Sequence, residues 1–90
     1  MPTMQNPDVA LRKIRSEVRE NTSARETITE VHLVSRRWPS KFEFRFRSGE
    51  ELKWCVDEIK MILRNLRLKF DNASFTFGKA PRSIQVDVLL

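Results

Sequence analysis

Ninety residues with 17 Lys and Arg against 12 Asp and Glu, a net charge of +5 and 40% hydrophobic residues describe one small folded domain, too apolar for a disordered chain and too short for two cores. A single cysteine excludes an internal disulfide, no stretch approaches the roughly 18 apolar residues of a membrane span, and the N-terminus lacks the basic-then-apolar form of a secretory leader; an intracellular protein is expected. The charge excess favours polyanionic partners, nucleic acid first.

In chain order, Met1 to Gln5 reads as a disordered tail preceding a single α+β domain over residues 1–90. Asn6, Pro7 and Asp8 supply an N-cap, a first-turn proline and an acid at the positive end of a helix dipole. The helix should run to about Glu20, with Leu11, Ile14 and Val18 as its apolar stripe and Arg12, Lys13, Arg15 and Arg19 on the remainder. Asn21 to Glu26 is polar and breaks the pattern. From Thr27 to Ser35 β-branched residues dominate, and Val31 and Leu33 alternate with Glu30 and His32, the pattern of a strand that turns the histidine outward.

Arg36-Arg37-Trp38-Pro39-Ser40 reverses the chain, because Pro39 cannot donate to a sheet ladder. Phe42, Phe44 and Phe46 then alternate with Glu43, Arg45 and Arg47, the period of a strand with one buried face. After Ser48-Gly49 the period changes: Leu52, Cys55, Val56, Ile59, Ile62, Leu63 and Leu66 wind into one stripe of a long helix. Ser48 and Glu51 fit a capping box at its start. Asp71-Asn72 marks a turn, Phe75 and Phe77 a third strand facing the core, Gly78 to Pro81 a further turn, and Ile84, Val86 and Val88 a fourth strand.

The order helix-strand-strand-helix-strand-strand predicts a two-layer α+β sandwich, a four-stranded and mainly antiparallel sheet with two helices on one face. A β-grasp-like core with an N-terminal helix is the competitor. A shift of 42 residues lays Pro39 on Pro81 and the three phenylalanines of the second strand on Ile84, Val86 and Val88, the pattern of a doubled helix-hairpin unit. As topology, the order resembles the pterin-carbinolamine dehydratases and the homing-endonuclease core. The adjacent histidines of the first and the acidic helix-end motif of the second are absent, so the resemblance implies nothing about activity.

Catalysis and cofactors are not expected. One histidine, one cysteine and scattered carboxylates give no metal-ligand spacing, and Gly49 and Gly78 cannot make a phosphate loop. Cys55, on the apolar stripe, reads as a buried structural thiol. Two surfaces are surplus to folding. The first is basic: from Arg36 to Arg47 five cations meet one acid, so Arg36, Arg37, Lys41, Arg45 and Arg47, with Trp38 at the turn tip, are the candidates for holding duplex or structured nucleic acid through its phosphates. The second is a narrow apolar line opposite the helix stripe, Trp54 and Met61, joined by Leu68 if the helix continues that far; it is the candidate interface for a homodimer or a protein partner. A non-catalytic nucleic-acid-binding module is the leading reading, and a protein-interaction or assembly domain the alternative.

Overall fold

A computed structural model describes residues 6–47, 49–78 and 82–90. The expected tail, Ser48 of the capping box and the turn at residues 79–81 lie outside these. Helix α1 covers Pro7–Glu20. The Asn6 side chain accepts the Asp8 backbone N–H at 2.8 Å, satisfying one of the donors left open in the first helical turn. Ala10, Ile14 and Val18 are buried along one face, and Leu11 flanks them.

Asn21 ends α1 and begins another helix. Its backbone N–H donates to the Glu17 carbonyl at 2.9 Å, and its side chain accepts the Ala24 N–H at 3.2 Å. The following residues form a short helix, α2, Thr22–Thr27, where the sequence predicted only an irregular break. One turn and a half has no readable apolar period; Ala24 alone is buried.

Strand β1 covers Ile28–Ser35 and β2 Ser40–Phe46. They pair antiparallel, with Val31 opposite Phe44 and Leu33 opposite Phe42. Along β2, Ser40, Phe42, Phe44 and Phe46 are buried while Lys41, Glu43 and Arg45 face the other way, half-buried, as the two-residue period requires.

Helix α3 covers Leu52–Asn65, so it starts later than the capping box placed it. Glu51 occupies the N-cap position and makes no side-chain capping bond. Cys55, Ile59, Ile62 and Leu63 are buried, but Leu52 is 42% exposed and leaves the expected stripe. The helix stops because Arg67 adopts a left-handed backbone, φ 57°, which lets the Leu68 N–H reach back to the Leu63 carbonyl at 2.8 Å, a helix-ending closure.

Strands β3 (Lys69–Phe70), β4 (Thr76–Phe77) and β5 (Ser83–Leu89) complete the sheet. Its order is β1-β2-β5, with β3 and β4 both pairing the far side of β5. Lys69 meets Leu89 and Phe77 meets Ile84, so the expected third strand is an outer strand broken into two pieces. Phe77 is 51% exposed and is not the core residue the alternation suggested, whereas Phe75 is half-buried and packs against the core. Every pairing is antiparallel, which sets aside the β-grasp alternative, whose central strands run parallel. The helices cover the face carrying Phe42, Phe44, Ile84, Val86 and Val88, all fully buried.

The two halves of the chain are arranged about a pseudo-two-fold axis. Glu43 pairs with Gln85 at the centre of the β2–β5 ladder, and the 42-residue shift carries one onto the other. Each half supplies its second strand to the middle of the sheet and its first strand to an edge. Residues 28–35 of β1 correspond to 70–77, which span β3, its loop and β4. Helices α1 and α3 are both 14 residues long.

Candidate binding cleft

Among the described residues β1 pairs only with β2, which leaves one of its edges open there, and α1 runs beside that edge. Between them is a cleft of 640 Å³ lined by Arg12, Arg15, Val18 and Arg19 of α1 and by Ile28 to His32. The size lies within the usual range for ligand sites, about 300–1,000 Å³. Arg12, Arg15 and Arg19 recur at three- and four-residue steps, so the helix stacks them in one row, and all three are exposed. The floor is apolar: Val18, Ile28 and Val31 are each no more than 8% exposed.

One arginine of the row touches the strand. Arg15 donates from Nε and Nη2 to the Val31 carbonyl, at 3.1 and 2.9 Å, so a side chain stands where a neighbouring strand's N–H would stand. Guarding an open edge with a charged side chain is a recurrent way to blunt unwanted pairing. Arg12 and Arg19 have no ion-pair partner within bonding distance among the described residues. His32 completes the rim, its Nε2 3.6 Å from Glu30 Oε2.

The basic residues nominated by the sequence are placed differently. Lys41 meets Asp87 at 3.4 Å, and Arg45 bonds both Glu43 at 3.0 Å and Glu30 at 3.1 Å. Gln85 also donates to Glu43, at 3.2 Å. Partial burial pushes the Glu43 carboxyl up, but the Gln85 and Arg45 hydrogen bonds outweigh it and hold the pKa below its ordinary value. The same bonds, from Glu43 and then Glu30, raise Arg45 further. This sheet face therefore sets two cations against three carboxylates.

Arg36 is a bidentate partner of Asp8, at 3.2 and 2.9 Å, and that hydrogen bond lowers the Asp8 pKa. Arg47 donates to the Glu26 carbonyl at 2.7 Å. Of the nominated set, Arg37 alone keeps an uncommitted side chain among the described residues, beside Trp38, which is 61% exposed. The structure does not gather these six residues into one surface. The row Arg12, Arg15, Arg19 was visible in the sequence as three cations at helical spacing, but nothing there showed which neighbour the row would face.

The apolar line on α3 is also broken. Trp54 is 61% exposed. Met61 is half-buried against the core, with the Asn21 amide 4.0 Å from its sulfur, and Glu58 between them accepts the Ser23 hydroxyl at 2.7 Å. The α1–α2 elbow thus covers the line beyond Trp54. Leu68 belongs to the core at 5% exposure, a correction that follows from the helix ending before it. Among the described residues no three His, Cys, Asp or Glu converge on a metal-sized site. Cys55 is fully buried, and burial raises its pKa. No described helix is long and apolar enough to cross a membrane. Set against protein-family models, curated proteins and solved structures, the chain matches none.

Proposed function

We propose that the protein is a non-catalytic module that binds an anionic chain electrostatically in the α1–β1 cleft. The observation that supports it is the row Arg12, Arg15 and Arg19 lining a ligand-sized groove, while three of the five cations in the densest basic segment of the sequence, Arg36, Lys41 and Arg45, are paired with carboxylates. Nucleic acid, the first expectation from the charge, would be held here through its phosphates, and along one strand, because the groove is bounded by a helix on one side and a strand edge on the other. The interaction-domain alternative, as an apolar line on α3, retains Trp54 alone, far less than the roughly 1,000 Å² a stable interface requires.

The test is salt-dependent binding of a single-stranded oligonucleotide and of polyglutamate. With three cations engaged, log affinity for the oligonucleotide should fall against log salt with a slope of about 2 to 3. Arg12→Glu with Arg19→Glu should abolish binding of both polyanions, and Arg37→Glu should leave most of it. Loss in the Arg37 variant with retention in the other would place the site elsewhere.

A further inference from the structure

We infer that the occupant of the cleft is an extended acidic segment of another polypeptide, which adds to the open edge of β1 as a further strand. The inference rests on the anionic-chain reading of the same site. It uses all three features of the cleft, whereas a nucleic-acid strand uses only one. The open backbone edge offers hydrogen bonds to a peptide main chain, the first element of strand addition. Val18, Ile28 and Val31 form a dry floor on which side-chain stems can pack. The arginine row then selects carboxylates, for which the guanidinium fork is the matched donor. No Phe or Trp is among the residues that line the groove, and His32 on the rim is its one ring, so successive nucleobases would find no stacking platform.

Spacing agrees with this occupant. Arg12 and Arg19 are separated by about 10.5 Å of helix rise, and side chains on one face of a strand repeat every 6.6–6.8 Å or so. Acids on two or three alternate residues therefore meet the row. The regular part of the edge is Glu30 to Leu33, between the two register shifts of β1, with Val31 at its centre. In the free protein Arg15 satisfies the Val31 carbonyl. On docking, a peptide N–H takes over that acceptor and the Arg15 guanidinium turns to a carboxylate of the guest.

The second half of the molecule shows what the corresponding space looks like when filled. Aligning α3 on α1 from their first residues places Lys60 at the position of Arg15 and Arg64 at that of Arg19. Lys60 lies 5.7 Å from the Phe75 ring centroid and Arg64 6.0 Å from that of Phe70. There the chain's own rings occupy the space between helix and edge strand. Beside α1 no phenylalanine does so among the described residues, and the cations are left for a guest.

The experiment measures binding of a short peptide of alternating glutamate and valine to the full chain, beside a second peptide N-methylated at alternate amides and an oligonucleotide of equal charge. The first peptide should bind, protect the amides of Val31 and Leu33 from hydrogen exchange, since these face the open edge, and lose at least about tenfold in affinity in the Arg12→Glu, Arg19→Glu variant; the N-methylated peptide should not bind. Both arginines are exposed, and unchanged thermal melting of the variant confirms that folding is intact. Equal binding of the N-methylated peptide overturns strand addition. Cleft binding of the oligonucleotide without the peptide overturns it too, yet leaves the anionic-chain reading standing. Failure of every probe defeats both. A free protein that sediments as a dimer with β1 already protected would make a second copy the occupant and would equally overturn the proposal.

Discussion

Arg45 shows how a residue that looks functional in a sequence is absorbed by the fold. It stands in the densest cationic segment, but antiparallel register sets Glu30 beside it on β1, and the strand period sets Glu43 two positions away on its own face. Surface ion pairs of this kind are weakened by solvent screening and by the cost of ordering two long side chains, so Arg45→Ala should destabilise only slightly. Glu43 carries the clearer signature. Its folded pKa lies below its unfolded one, so its contribution is fully present above the unfolded value and is lost as pH falls through the folded value. The urea midpoint of the parent chain should decline as pH drops below the ordinary glutamate range, and Glu43→Gln should flatten that decline; an unchanged profile would show that the Arg45 and Gln85 bonds do not persist in solution. Cys55 gives a second check at this scale. Fully buried and with a raised pKa, its thiol should react with a disulfide reagent only at the rate of unfolding. Fast labelling of the native protein would contradict the packing of α3.

Among the elements, the junction of α1 and α2 concentrates the most structure in one side chain. Asn21 closes one helix with its backbone, caps the next with its side-chain oxygen and sets its amide nitrogen against Met61. Asn21→Ala should cost about 1 kcal/mol, whereas Asn21→Asp, which keeps the capping oxygen, should cost less; denaturant midpoints of the two variants decide it. The elements legible in the sequence are those whose period and cap agree: α1 with Asn6 and Pro7, β2 with its phenylalanines, β5 with Ile84, Val86 and Val88. Those missed have no period of their own. α2 has six residues, and β3 and β4 have two each, held in place by β5 rather than by local preference. The end of α3 at Leu66 was legible to within a residue, but nothing in the sequence marks Arg67 as the residue that turns left-handed and delivers Leu68 to the core. The cleft was half legible: its cations can be counted in the sequence, but its other wall is an edge strand, and which strand is an edge depends on the sheet order.

At the scale of the whole molecule, the pseudo-two-fold arrangement makes the open cleft a difference between two halves rather than a feature of one. Helix α1 meets an unbroken eight-residue strand, whereas α3 meets a broken one whose loop brings Phe75 under Lys60 and, edge-on at 84°, against Phe70. In the second half aromatic rings occupy the space beside the helix cations, and removing a ring should open part of a groove there. Phe75→Ala deletes a half-buried ring, its edge-to-face contact and its contact with Lys60, together about 1–3 kcal/mol, and the domain should remain folded. The freed Lys60 is then available to an anionic chain. If the halves are equivalent in the way the sheet implies, Phe75→Ala should show, beside the parent's site, a second and weaker oligonucleotide-binding event with a shallow salt slope of about 1 or less. Combining it with Arg12→Glu and Arg19→Glu should leave that weak second site alone measurable. A variant with no binding event beyond the parent's would mean that the ring only packs, and that the correspondence between the halves ends at the backbone.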